Sequence, residues 1–82
     1  MILPIVHPNG TSRASLVDLR CAAGAKLREA LEALSAMAPH GRDYYLEEGR
    51  FEAAVAQHQR RVFMVREVWK EIQDETIAIS KL

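Results

Sequence analysis

The chain has 82 residues, with 11 basic and 11 acidic side chains and a single cysteine. That length predicts one small domain, and the charge balance argues against a general nucleic-acid binder, which needs an excess of Lys and Arg to meet phosphate. One thiol excludes an internal disulfide, and no closely spaced Cys or His residues have zinc-site spacing, so self-association is the expected way for so short a chain to gain stability.

In chain order, the first segment is MILPIVHPNG, residues 1–10. It is apolar and partly β-branched but interrupted by Pro4, which removes a ladder donor, so it reads as a short extended arm or edge strand. It lacks a basic leader and is broken again by Pro8, so no signal peptide is expected. No apolar run approaches the roughly 20 residues of a membrane span. The expectation is a soluble, cytoplasmic protein with no membrane partner.

Pro8-Asn9-Gly10 is a turn signal, and Thr11 or Ser12 is a natural N-cap. From about 12 to 38 the pattern is helical. Leu16, Leu19, Ala23, Leu27, Ala30, Leu34 and Met37 recur at spacings of three and four and predict the buried stripe. Pro39 and Gly41 end this helix, and residues 39–49 form a loop. A second helix is predicted from about 50 to 79. Its stripe is Phe51, Val55, His58, Val62, Val65, Trp69, Ile72, Thr76 and Ile79, with the seven-residue repeat of near-parallel packing.

Two long helices joined by about ten residues predict an all-α, antiparallel two-helix hairpin. Apolar residues off the stripes, among them Val17, Ala22, Ala25, Leu31, Ala54, Phe63, Met64, Val68 and Ile77, exceed what one partner helix covers. The small residues of Cys21–Ala25 allow close helix approach. A homo-oligomer whose interface completes the core follows as an expectation, the alternative being ordinary scattered exposure.

The two polar breaks carry the candidate chemistry. In HPNGTSR, residues 7–13, a helix N-terminus offers free N–H groups and a positive dipole end to an anion. Gly10 admits close approach, Thr11 and Ser12 add hydroxyls, Arg13 adds a fork, and Asn9 can read a base edge or ribose. The same residues also fit a plain turn and cap. In HGRDYY, residues 40–45, Tyr44 or Tyr45 can stack a base, Arg42 can hold phosphate, and Asp43 can orient Arg42 or accept from a base amine. The competing reading is that both tyrosines plug the end of the hairpin. In one antiparallel hairpin the two stretches lie at opposite ends, so a site using both forms only between subunits.

The remaining polar features read as structure. His58 sits in a stripe and is expected as a core residue, Trp69 likewise. The basic HQRR, with Arg66 and Lys70, is matched by Glu67, Glu71, Asp74 and Glu75 as a solvated face of i,i+4 pairs. Cys21, beside only Arg20, is expected to be inert. No Ser-His-Asp order, metal spacing or phosphate-cradling loop points to catalysis or to a cofactor.

At HPNGTSR and GRDYY the chain resembles a group of small phage and prophage proteins with an Asn-Gly-Thr turn, an Arg-Asp-Tyr-Tyr loop and two long helices. Its architecture is also similar to phage anti-defence sponges, small helical oligomers that sequester cyclic nucleotides or cyclic ADP-ribose at subunit boundaries without cleaving them. That similarity implies a non-enzymatic nucleotide binder in the bacterial host. Asn9, Gly10, Thr11, Arg13, Arg42, Asp43, Tyr44 and Tyr45 would be its ligand-binding contacts. The alternatives are a structural or adaptor hairpin working by protein–protein contact and a small nucleotide hydrolase.

Overall fold

The computed structural model describes all 82 residues. Helix α1 spans Arg13–Ala36, a short 3-10 turn spans Gly41–Asp43, and helix α2 spans Arg50–Ser80. The two long helices pack against one another in an antiparallel hairpin of 63 × 19 × 17 Å. No strand forms. Residues 1–7 carry no regular structure, and a turn closed by the Gly10 N–H on the His7 carbonyl at 3.1 Å leads into α1. Neither helix is long and apolar enough to cross a membrane.

Local chemistry sets each boundary. Ser12 takes extended backbone angles and its hydroxyl accepts from the Ser15 N–H at 3.1 Å, which satisfies one orphan donor of the first turn. Helix α1 ends before Pro39, with the Met37 N–H donating to the Leu34 carbonyl and the Ala38 N–H to the Ser35 carbonyl. Entry to α2 depends on Gly49, whose φ of 80° lies in the left-handed region where a Cβ is costly.

The α2 stripe is the seam the sequence predicts. All nine of its residues, from Phe51 to Ile79, are at least half-buried, and Ile79 is fully enclosed. Thr76 is accommodated there because its hydroxyl donates to the Ile72 carbonyl at 2.6 Å, one turn back.

The α1 stripe is corrected. Leu19 is 64% and Met37 56% exposed, and Ala23 and Ala30 also face outward. The side turned to α2 is Leu16, Arg20, Gly24, Leu27, Leu31 and Leu34. This register exchanges Leu19, two alanines and Met37 for Leu31 with Arg20 and Gly24. Leu31 extends a leucine row that fills the seam better than alanines do, because buried area scales with side-chain size. Arg20 is satisfied inside the seam. Its Nε donates to Glu75 Oε2 at 2.7 Å, and Nη1 donates to the Leu16 carbonyl at 3.1 Å. The expected i,i+4 pairs along α2 do not form. The other ion pairs, Lys26–Glu29 and Arg50–Glu47, are both three residues apart and exposed.

Two helices leave most of each side chain wet. Only Gly24 and Ile79 are buried among 82 residues. The accessible surface is 6435 Å², against about 4,900 Å² for a compact monomer of the same mass. The surplus of about 1,500 Å² is the cost of having one partner element instead of several.

Gly24 does not serve the close approach its sequence context suggests. A Cβ built there meets nothing within 4 Å, because the glycine floors an open cavity of about 340 Å³ beside Trp69 and Ile72. Gly24→Ala is therefore expected to stabilise the helix by about 1 kcal/mol, through propensity alone. A rise in the thermal midpoint by circular dichroism is the expected result, and a fall would mean that the cavity is filled by a packed partner.

Candidate functional site

The two polar breaks lie at opposite ends of the hairpin. The 24 residues of α1 between them span about 36 Å at 1.5 Å per residue. Asn9, Gly10, Thr11 and Arg13 are together at the open end, whereas Arg42, Asp43, Tyr44 and Tyr45 are together at the loop end. One chain does not bring the two groups within reach of one ligand.

At the open end, Asn9, Gly10 and Thr11 are exposed. The ring of His7 folds over Gly10, and a Cβ there would come within 2.7 Å of His7 Nε2, the far end of a mobile side chain. Ser12 spends its hydroxyl on the cap and on a 3.0 Å bond to Ser15. Arg13 turns toward α2, where Nη1 donates to the Leu82 carbonyl. This clasp joins the start of α1 to the carbonyl-rich end of α2, where a cation is favoured by the helix dipole. Arg13 is thus engaged within its own chain.

At the loop end the two tyrosines differ. Tyr44 is half-buried, with its ring centroid 6.3 Å from that of Phe51 at an interplanar angle of 40°. That is a tilted aromatic contact that closes the hairpin over the first turn of α2. Tyr45 is 75% exposed. The competing plug reading therefore holds for Tyr44 and not for Tyr45. The 3-10 turn begins at His40, whose Nδ1 accepts from the Arg42 N–H at 3.3 Å and whose carbonyl accepts from the Asp43 N–H at 3.0 Å. These bonds fix the backbone and leave the Arg42 and Asp43 side chains exposed, with no ion pair inside the chain. A guanidinium, a carboxylate and a phenol ring thus project from four consecutive residues.

Sequence reasoning passed over the groove along one flank of the hairpin. Arg28 and Arg66 line it together with Trp69, Leu31, Glu32 and Ser35. Both arginines belong to runs that read as solvated, and only the α1 register brings them to one side. His58 lies farther along the same flank beside Phe63, half-buried rather than enclosed as the core residue expected of it. Cys21 is exposed at the rim of the Gly24 cavity. No group of three or more metal-ligating side chains converges anywhere.

No protein-family model, curated protein or solved structure matches this chain.

The unequal tyrosines give a direct test. Tyr44→Ala removes the ring that caps Phe51 and is expected to cost about 1–2 kcal/mol in chemical denaturation. Tyr45→Ala is expected to change stability by less than about 0.5 kcal/mol. Equal losses at both positions would mean that Tyr45 also packs.

Proposed function

We propose that this protein is a self-assembling helical hairpin whose function is carried by protein–protein contact, with itself first. The observation that supports this is the burial: two enclosed residues in 82 and about 1,500 Å² more surface than a compact chain of this mass exposes. Net stability is a small difference between large terms, and a hairpin with so little enclosed apolar surface gains little to set against chain entropy. Helix–helix contact between chains supplies the missing burial. Sedimentation velocity across the micromolar range tests the proposal. The expected result is a mass above one chain together with a thermal midpoint that rises with concentration. A stable, folded monomer at every concentration would overturn it.

A second reading is sequestration of a small nucleotide at a subunit boundary, without turnover. It is favoured by one observation, the exposure of Arg42, Asp43 and Tyr45 side by side with no ion pair inside the chain. In this reading Arg42 holds phosphate and Tyr45 stacks the base, while Tyr44 serves as scaffold. Asn9, Gly10 and Thr11 of a neighbouring copy line the other side. A thermal-shift panel of cyclic dinucleotides and cyclic ADP-ribose is expected to show a stabilising ligand, and Arg42→Ala or Tyr45→Ala to abolish its effect without loss of helix. Ligand recovered intact after heat denaturation supports sequestration, and cleaved ligand would point to a hydrolase. No shift with any nucleotide would leave the assembly role alone.

A further inference from the structure

The hairpin has two flanks, and they differ in kind. One carries Arg28, Gln59, Arg66 and Gln73 around Trp69 and Phe63. On the other flank each residue immediately precedes a seam residue. In α1 these are Leu19, Ala23, Lys26, Ala30 and Ala33, and the C-cap residue Met37 continues the row. In α2 they are Ala54, Gln57, Arg61, Met64, Val68, Glu71, Glu75 and Ala78. Both rows alternate spacings of three and four, so each is a straight ridge along its helix. Leu19, Met37, Met64 and Val68 on these ridges are all about half exposed or more, while toward the end of α2 the arm residues Met1 and Ile2 border Glu71 and Glu75.

We infer that a second copy of the chain packs on this flank, antiparallel to the first, about a two-fold axis that crosses the hairpin between Met64 and Val68, at the height of positions 28 and 66. This rests on the self-assembly reading and adds the face and the register. Two observations carry it. First, the α2 ridge is complementary to its own reverse. Arg61 and Glu71 are equidistant from Arg66, as are Met64 and Val68, and Ala54 and Ala78. Antiparallel pairing at that point sets Met64 on the partner's Val68, alanine on alanine at the ends, and Arg61 on the partner's Glu71, each contact occurring twice. Neither Arg61 nor Glu71 has an ion-pair partner within the chain.

Second, the α1 ridge has the same symmetry at the same height. Leu19 and Met37, Ala23 and Ala33, and Lys26 and Ala30 are equidistant from Arg28. The Arg20–Glu75 contact sets position 28 opposite position 67, one residue or about 1.5 Å from the centre of the α2 ridge. One rotation therefore satisfies both helices.

The same register has a consequence for the polar breaks. Arg50 and Leu82 are equidistant from Arg66, and Arg13 is bonded to the Leu82 carbonyl, so the start of α1 stands level with the partner's entry into α2, beside its loop. The two groups that one chain holds apart come to the same end of the pair.

Charge variants at Arg61 and Glu71 test the face and the register together, with dimer dissociation followed by sedimentation equilibrium. Arg61→Glu alone sets like charges opposite each other twice, and so does Glu71→Arg, so each is expected to raise the dissociation constant on the order of tenfold or more. Mixing these two variants places opposite charges at both contacts and is expected to restore association as a heterodimer. Both side chains are exposed, so helix content should be unchanged. Val68→Glu, which puts an unpaired charge at the centre, is expected to weaken the pair about 100-fold. A wild-type chain that associates while the mixture recovers nothing would overturn this face and register and leave the self-assembly reading standing. A wild-type chain that stays monomeric would overturn both.

Discussion

The governing constraint is the number of partners each helix has. A helix of this kind presents an apolar stripe wider than one neighbour can cover, and a hairpin provides one neighbour. The seam between α1 and α2 is continuous by that standard, with leucines, valines, Phe51 and Trp69 half-buried along its length. It still encloses only one large side chain, Ile79. The other features act at the ends of this seam. Ser12 caps α1, Arg13 ties α1 to the last turn of α2, Gly49 turns the chain into α2, and Tyr44 covers Phe51. These contacts hold two helices in register without supplying a third layer.

That division explains the distribution of polar groups. Arg20 and Glu75 form the one ion pair across the seam, each side chain roughly a quarter exposed, where a charge-assisted bond is stronger than at the surface. It fixes the sliding register of the helices, which a repetitive run of leucines and alanines leaves underspecified. Fixed register in turn decides which residues share a flank, and hence that Arg28 and Arg66 stand on one side and Met64 and Val68 on the other.

Much of the fold was legible in the sequence. The α2 seam followed from nine residues in strict heptad spacing, and the breaks at Pro39, Gly41 and Gly49 were marked by residue type. The α1 face was less legible, because periodicity counts apolar positions and α1 offers two overlapping sets. Choosing between them required knowing that Arg20 would find Glu75, 55 residues away, and that Leu31 outweighs Ala30. The same limit applied to the loop. Tyr44 and Tyr45 are adjacent and chemically identical, and only the 3-10 turn, through its bonds to His40, decides which ring faces Phe51. Arg13 looked free because its partner, the Leu82 carbonyl, is a backbone atom with no side-chain signature.

The gap beside Gly24 has an optical consequence. Trp69 is the only tryptophan in the chain, half-buried and bordering that open space. Its indole therefore borders the solvent that occupies that gap. Its emission wavelength is a native gauge of how wet that region is, and anything that closes over the gap will register as a blue shift with no label attached.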